Sequence, residues 1–298
     1  MRSYCRGEKA LVRSQYDSRQ GALPNLIIIG AQKCATTSLH YYLNFHPQVA
    51  MSREKELDFF ALEANWDKGI EWYKAQFQAA APIRGEASPR YTFYPLYQGV
   101  PQRMHELIPM AKLVYILRDP IDRIVSSYVH RYASGLEDRP IGEALADPES
   151  NRYVWRSMYF TQLKQYLLYY PRSRILILTL EELERDRRGV LQGIFRFLEI
   201  DDRFNAIWFS YKKHPSRRKR RLTARGRRLA RTPMMEAVER LPFDLREKVK
   251  ALVYFPFSRP VQRPELDESL RQSLIRHLAD DVDELRSYTG MDLTCWSV

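Results

Sequence analysis

A lysine followed by a run of hydroxyl residues is the first feature of the sequence that could do chemistry. Residues 30–38 read GAQKCATTS, so Lys33 precedes Thr36, Thr37 and Ser38 in one short segment. An ammonium group and hydroxyl donors at the start of a helix suit a phosphate or another anion. The triphosphate-binding loop GxxxxGK[ST] has its lysine immediately before the hydroxyl residue, whereas Lys33 stands three positions before Thr36. The segment predicts a phosphate cradle of a different kind, unless its hydroxyls merely cap a helix.

A second polar cluster occupies residues 118–130. Arg118 can hold a phosphate through two parallel N–H donors, and Ser126 follows about two helical turns later as a hydroxyl donor. His130 comes four residues after Ser126, hence one turn further along the same helix face, and is a candidate acid or base. Read alone, this segment could also be an ordinary salt-bridged helix start.

Buried strands must position both clusters. Residues 25–29, 112–117 and 174–180 are short apolar runs, each followed by a segment with helical spacing. This alternation predicts an α/β fold in three layers, with a central parallel sheet flanked by helices. Ligands of such sheets bind beyond the carboxyl ends of the strands, so we expect both clusters to face one ligand. Apolar residues at three- to four-residue spacing over 270–285 predict an amphipathic helix before Gly290.

The positive charge of the chain is concentrated in one segment. The sequence has 48 Lys and Arg against 36 Asp and Glu, a net charge of +12. Residues 212–231 contain eleven of these cations and no acidic residue. We interpret this basic segment as a mobile loop, with a nonspecific nucleic-acid patch as the alternative. It contains no aromatic residues for stacking on a single strand, and no nucleic-acid partner is expected.

Length and composition give the remaining expectations. Residues 22–298 are predicted to form a single domain after an N-terminal extension, residues 1–21. No apolar run approaches about 18 residues, and the polar N-terminus has no signal-peptide core, so we expect no transmembrane segment and a cytoplasmic location. The three cysteines have no metal-ligand spacing. Nothing in the sequence indicates an oligomeric state.

The two clusters resemble those of a known enzyme family. Residues 30–39 (GAQKCATTSL) are similar to the 5′-phosphosulfate loop of sulfotransferases that use 3′-phosphoadenosine-5′-phosphosulfate (PAPS), and residues 117–126 to their 3′-phosphate segment. Residues 55–60 (KELDFF), 85–91 (GEASPRY) and 290–296 resemble the heparan-sulfate-type and bacterial branch. The cysteine pair that some heparan-sulfate enzymes carry near their C-terminus has no counterpart here. The resemblance implies a P-loop-like fold.

The resemblance also implies residue roles. Lys33 would stabilise the leaving phosphate, Glu56 would be the base that accepts the acceptor's proton, and His130 is the second candidate base. The 5′-phosphate loop would comprise Lys33, Cys34, Ala35, Thr36, Thr37 and Ser38. Arg118 and Ser126 would hold the 3′-phosphate, and Tyr159 would lie against the adenine. Part of the basic segment would close over the nucleotide or face an anionic acceptor, namely Arg217, Arg218, Lys219 and Arg220. Ala35 stands where the family often has glycine, so a positive φ there would be strained.

The implied reaction moves a sulfuryl group from PAPS to a hydroxyl or amine and leaves 3′-phosphoadenosine-5′-phosphate (PAP), with no metal. A carbohydrate is the first expectation for the acceptor, and a small-molecule, lipid or polyketide hydroxyl is the alternative. Two other functions stay open. A nucleotide kinase would use ATP with magnesium, and a noncatalytic nucleic-acid-binding module would use the basic segment but leave Lys33 and Arg118 without a role.

Overall fold

The computed structural model describes residues 21–210, 219–239 and 243–298. The predicted N-terminal extension thus lies almost entirely outside the described residues, as do Arg217 and Arg218. The strands are β1 Leu26–Gly30, β2 Val49–Met51, β3 Ile83–Ala87, β4 Lys112–Leu117, β5 Ile175–Thr179, β6 Arg220–Leu222 and β7 Ser258–Pro260. The α-helices of these ranges are α1 Thr36–Leu43, α2 Gly69–Lys74, α3 Val100–Leu107, α4 Pro120–Ala133, α5 Ile141–Ala144, α6 Arg152–Trp155, α7 Tyr159–Leu167, α8 Leu180–Arg185, α9 Arg187–Leu198, α10 Ala224–Ala230, α11 Pro233–Glu239, α12 Phe243–Tyr254 and α13 Glu268–Thr289.

A parallel sheet forms the centre of the fold. Its strand order is β2-β3-β1-β4-β5, and each of its four neighbouring pairs is parallel. In the middle strand, Leu26 pairs with Gly85 on one side and Lys112 on the other. All five residues of β1 are buried, because a parallel sheet is covered on both faces and needs a continuous apolar run. The predicted α/β class and parallel sheet are confirmed.

The arrangement of β1 and β4 positions the two polar clusters. The loop after β1 leads into α1, and the loop after β4 leads into α4. Because the two strands are parallel neighbours, both loops emerge at the same edge of the sheet. Ala31 continues this pairing beyond β1, since its N–H donates to the Ile116 carbonyl at 2.7 Å. The sequence prediction that the clusters share one edge is confirmed.

The basic segment is not a loop where the structure describes it. Residues 220–222 form β6, which pairs antiparallel with β7 through Arg221 and Arg259. The chain then turns into α10, whose N-cap Thr223 accepts a hydrogen bond from the Gly226 N–H. The interpretation as a mobile loop is therefore wrong for residues 219–231. The strand partner lies almost forty positions along the chain, so charge composition alone could not indicate it.

The C-terminal helix is part of the core of the fold. The predicted amphipathic helix is α13, which ends at Gly290 with φ 68°. Its buried Asp281 accepts hydrogen bonds from the backbone N–H groups of Phe160 and Thr161 at 2.9 and 2.8 Å, and from the Thr161 hydroxyl at 2.7 Å. These N–H groups open α7 and have no acceptor within that helix, so Asp281 caps α7 from a distant part of the chain. Within the described ranges, no helix combines the length and apolarity required to cross a membrane.

Candidate active site

The loop between β1 and α1 curls over the N-terminus of the helix. Lys33 and Ala35 both have positive φ, 74° and 64°, and this curls the loop over the start of α1. The first helical hydrogen bond runs from Leu39 N–H to the Ala35 carbonyl at 3.0 Å, and the N-cap Ala35 has no side chain that could cap the helix. The Thr36 and Thr37 amides therefore precede the first helical hydrogen bond and suit an anion.

Lys33 lies in a cluster of cations. Burial, together with the nearby Lys219 ammonium, lowers the pKa of Lys33 to about 8, and Arg118 contributes in the same direction. Lys219 itself is half-buried, and burial lowers its pKa as well. No carboxylate pairs with Lys33 or Lys219 among the residues that the structure describes. Cations gathered without counter-ions favour an anionic ligand, because the ligand relieves both their desolvation and their mutual repulsion.

His130 belongs to the same cluster. Its Nδ1 lies 2.5 Å from the Lys219 Nζ, so the neutral ring accepts a hydrogen bond from the ammonium. Burial and the charges of Lys33 and Lys219 lower the pKa of His130 to about 4, against a smaller opposite effect of Glu56. His130 is therefore neutral near pH 7 and holds Lys219 in place. The Glu56 carboxylate is therefore close enough to this cluster for its charge to act on His130.

Arg118 lies at the end of β4 and is held by an ion pair. Its Nη2 donates to Asp122 Oδ2 at 2.6 Å, while the other oxygen of Asp122 accepts from Arg263. Asp122 thus orients two guanidinium groups beside the start of α4. Ser126 follows on α4 and is 7% exposed. The sequence reasoning selected Arg118 and Ser126 but missed Asp122, four residues after Arg118, and Arg263, whose approach depends on the tertiary fold.

Two further residues of the predicted clusters are fully buried and hydrogen-bonded within the protein. Arg123 is fully buried and donates to the Ser157 hydroxyl and the Tyr153 carbonyl, which ties α4 to α6 and α7. Tyr159 is also fully buried, and its hydroxyl donates to the Arg118 carbonyl at 2.8 Å. The contact of Tyr159 with adenine stays a prediction, and it would require this ring to become exposed. Cys34 packs beside Tyr159, and burial raises the pKa of its thiol to about 11.

Glu56 sits on a loop with unusual backbone geometry. Glu56 and Asp58 both have positive φ, 63° and 48°. The Glu56 N–H donates to the Ala87 carbonyl at 3.1 Å, and the Asp58 N–H donates to the Ser88 hydroxyl at 3.0 Å. The Glu56 carboxylate also forms an ion pair with Lys55 at 2.7 Å.

A buried carboxylate anchors that loop. Glu86 is fully buried and accepts hydrogen bonds from the hydroxyls of Tyr73, Ser88 and Tyr91 at 2.5, 2.7 and 2.9 Å. Because Ser88 donates to Glu86, its oxygen is oriented to accept from Asp58 N–H. Burial raises the pKa of Glu86, although the three hydroxyls oppose that shift. Glu86 and Ser88 therefore hold the loop that presents Glu56, a role that their sequence positions did not reveal.

The basic segment contributes one side chain to the cluster. Lys219 reaches Lys33 and His130, whereas Arg220 turns toward β7. The Arg220 guanidinium donates to the hydroxyl and carbonyl of Ser258 at 2.8 and 2.6 Å and lies over the Phe255 ring at 4.4 Å. Arg220 was expected to contact the nucleotide, and the structure holds it away from the cluster. Arg217 and Arg218 lie outside the described residues.

Comparisons with a family model and with known proteins agree on one family. The model for the sulfotransferase domain matches residues 23–225. Bifunctional heparan sulfate N-deacetylase/N-sulfotransferase 2 from Homo sapiens is 32% identical over 200 residues, which cover 60% of this chain and 22% of that protein. Heparan sulfate glucosamine 3-O-sulfotransferase 5 from Mus musculus is 31% identical over 196 residues, which cover 61% and 55%. The match therefore spans about a fifth to a half of these relatives.

A solved structure extends the likeness along the chain. The crystal structure of a sulfotransferase from Alicyclobacillus acidocaldarius has a TM-score of 0.65 at 25% identity, and the superposition covers 93% of this chain and 100% of that one. The central parallel sheet, with the loops after β1 and β4 at one edge, has the P-loop-like fold that the sequence resemblance implied. Since the family model covers more than half of the chain, the chain belongs to the sulfotransferase family. The resemblance found in the sequence is confirmed.

Proposed function

We propose that the protein transfers the sulfuryl group of PAPS to a hydroxyl or amine of a carbohydrate and releases PAP. The observation that carries this proposal is the unpaired cation cluster of Lys33 and Lys219 at the N-terminus of α1, next to the Arg118 site. PAPS has a phosphosulfate and a separate 3′-phosphate, and the two sites supply cations for both. The names of the heparan sulfate relatives support a carbohydrate acceptor.

The positions of these residues support a separate role for each in the transfer. The acceptor oxygen or nitrogen attacks the sulfur in line, while the bond from sulfur to the bridging oxygen of the 5′-phosphate breaks. Lys33 and the backbone amides of Thr36 and Thr37 stabilise the negative charge that develops on the leaving phosphate. Glu56 takes the acceptor's proton, since its charge acts on the nearby His130 and its loop is fixed by Ser88. His130 acts through Lys219, because its Nδ1 already accepts from that ammonium.

Residues 22–298 are proposed to act as one sulfotransferase domain. The family match ends at residue 225, but the last helix and the C-terminus contact α7 and the start of α4, next to the proposed PAPS site. Asp281 caps α7, and the Ser297 N–H donates to Asp119 Oδ2 at 2.5 Å at the start of α4. The cap and this contact support a single unit.

A transfer assay with labelled PAPS against glycans, lipids and phenols tests the proposal. Lys33→Ala is expected to abolish transfer, and Glu56→Gln to lower kcat by about a hundredfold with little change in PAP affinity. Glu54→Gln is the matched control, because Glu54 is an exposed carboxylate two residues away. Full activity in both Lys33→Ala and Glu56→Gln would overturn the mechanism, and sulfation of lipids or phenols alone would overturn the carbohydrate acceptor.

A further inference from the structure

The segment after α13 contacts the turn between β4 and α4. We call residues 290–298 the strap. Leu293 and Trp296 are 1% and 5% exposed and belong to the hydrophobic core around the sheet. Arg286 on α13 holds the strap in place, because its Nη2 donates to the carbonyls of Leu293 and Val298 at 3.4 and 2.6 Å. The strap is therefore a fixed part of the fold, and the mechanism above gives it no role.

Ser297 holds the carboxylate of Asp119 in that turn. The Ser297 N–H donates to Asp119 Oδ2 at 2.5 Å, and the Asp122 N–H donates to Asp119 Oδ1 at 2.8 Å. The side chain of Asp119 is thus clamped between the strap and the first turn of α4. Its backbone is held as well, because the Asp119 N–H donates to Glu181 Oε1 at 3.0 Å. Since Asp119 immediately follows Arg118, these contacts fix the residue next to the proposed 3′-phosphate site.

Trp296 supports the carbonyl of Arg118 through Tyr159. The ring centroids of Trp296 and Tyr159 lie 5.8 Å apart, and the Tyr159 hydroxyl donates to the Arg118 carbonyl at 2.8 Å. Tyr159 is fully buried, so the Trp296 ring is part of the packing that keeps this donor in place. The indole Nε1 of Trp296 has no hydrogen-bond partner among the described residues. Trp296 therefore acts by ring packing and not by hydrogen bonding.

We infer that Trp296 and Ser297 are positioning residues for the 3′-phosphate site of PAPS. The strap acts on Arg118 by two routes, which are the Tyr159 hydroxyl at its carbonyl and the Asp119 side chain next to it. This inference rests on the proposed function, which assigns Arg118 to the 3′-phosphate. It adds that the preference for a nucleotide with a 3′-phosphate depends on a segment beyond the family match, which ends at residue 225.

Release of the strap should have two effects on this site. Without the Trp296 ring, the Tyr159 hydroxyl is free to leave the Arg118 carbonyl, and the guanidinium loses its fixed backbone. Without the Ser297 N–H, Asp119 Oδ2 loses this donor, and its charge is free to turn toward Arg118 or to repel the 3′-phosphate. Both effects weaken a ligand that has a 3′-phosphate. The 5′-phosphate loop follows β1, so its contacts should persist.

The affinities for PAP and for AMP, which has no 3′-phosphate, together measure what the 3′-phosphate site contributes. Trp296→Ala should weaken the binding of PAP by about fivefold or more and that of AMP by less than about twofold. Trp296→Phe should keep the wild-type preference for PAP, because a ring is retained and the indole Nε1 has no partner within the described part of the chain. Competition against a fluorescent adenine nucleotide measures both affinities.

Two variants of Ser297 test the backbone contact alone. Proline has no N–H, so Ser297→Pro removes the donor to Asp119 and should lower the preference for PAP over AMP by about threefold or more. Ser297→Ala keeps that donor and should bind both nucleotides as the wild type does. The pair of variants separates the backbone N–H from the serine side chain.

Tyr288→Ala controls for the loss of an aromatic contact on α7. The Tyr288 ring is 40% exposed and packs on Phe160, the residue after Tyr159, at a centroid distance of 5.4 Å. The change removes none of the contacts to Arg118 and Asp119 described above. The ratio of the two affinities should therefore stay within about twofold of the wild type.

A double variant separates positioning from general stability. In an Arg118→Ala background, Trp296→Ala should change the affinity for PAP by less than about twofold, because the residue that the strap positions is absent. A general loss of stability would persist in that background. Linkage gives a further measurement on the wild type, in which saturating PAP should slow hydrogen exchange of the strap amides more than saturating AMP does.

Three results would overturn the inference. They are equal weakening of PAP and AMP in Trp296→Ala, an unchanged preference for PAP in Ser297→Pro, and equal protection of the strap amides by the two nucleotides. The exchange measurement on the wild type decides the question even where a variant does not fold. The proposed function fails differently, because a wild type that binds PAP no more tightly than AMP rejects the 3′-phosphate site itself. A wild type that prefers PAP, together with variants that keep this preference, rejects only the role of the strap.

Discussion

Binding of PAP should be coupled to protonation of Lys33. In the free protein the pKa of Lys33 is about 8, because burial and the neighbouring cations disfavour its charged form. An anionic ligand removes that disadvantage, so the bound ammonium should return toward the ordinary lysine pKa of about 10.4. Protonated Lys33 is the form that binds. Affinity should therefore be highest below pH 8 and fall as the pH rises through that value.

The size of the effect follows from linkage. Between pH 7 and pH 9 the free lysine passes from mostly charged to mostly neutral, so the Kd for PAP should rise by roughly tenfold. At pH 8 each binding event should take up about half a proton. Phosphate monoesters have their second pKa near 6, so the ligand's own titration does not interfere between pH 7.5 and 9.

Calorimetry in buffers of different ionisation enthalpy measures both the Kd for PAP and the number of protons taken up on binding. The Lys33→Gln variant should bind PAP weakly and with little pH dependence, whereas Lys68→Gln, at an exposed lysine, should behave as the wild type. A Kd that stays constant between pH 7.5 and 9 in the wild type would refute the coupling. An unchanged pH dependence in Lys33→Gln would refute its assignment to Lys33 and direct attention to Lys219.

Three further predictions concern the loop, the base and the second phosphate. Ala35→Gly should stabilise the unliganded protein by about 1 kcal/mol and raise its Tm by about 2 °C, because glycine adopts the positive φ without strain. A lower Tm in this variant would contradict the proposed strain at Ala35. Ser88→Ala should lower kcat by about tenfold with an unchanged Kd for PAP, because it removes the acceptor of the Asp58 amide and loosens the loop that carries Glu56. Stopped-flow turnover measures kcat, and a parallel titration measures the Kd for PAP. Weakened PAP binding would argue against a positioning role. Arg118→Ala should weaken the binding of PAP by roughly ten- to a hundredfold but leave the binding of AMP, which has no 3′-phosphate, unchanged. Equal losses of affinity for both nucleotides in competition binding would reject the role of Arg118 at the 3′-phosphate.

Local patterns predicted the central elements well. β1 and β4 are continuous apolar runs, which a buried parallel strand requires, and the predicted bounds of β4 agree with the structure. The start of α4 can also be predicted from the sequence, because Asp119 caps the helix and Pro120 is its first residue. Since the two strands are neighbours, the meeting of the Lys33 and Arg118 clusters followed from the general rule for parallel sheets.

Other elements depend on partners that the sequence places far away. β3 reads IRGEA, and its charged residues conceal a strand in which Glu86 is fully buried. That carboxylate is tolerated because three hydroxyls satisfy it, and all three, from Tyr73, Ser88 and Tyr91, lie outside the strand. The contact between Lys219 and His130 joins residues 89 positions apart. A basic segment cannot reveal from its composition which of its cations enters a site, and here Lys219 does so while Arg220 does not.

The Asp281 cap has a practical consequence for anyone who divides this chain into fragments. A polypeptide cut where the family match ends, at residue 225, would keep Lys33, Arg118 and Glu56 but lose the carboxylate that closes the N-terminus of α7. It would also lose Trp296, whose ring centroid lies 5.8 Å from that of Tyr159. Exposure of these groups would destabilise the wall behind the Arg118 carbonyl. The boundary of sequence similarity is therefore not a safe boundary for expression, and a usable fragment must extend to Val298.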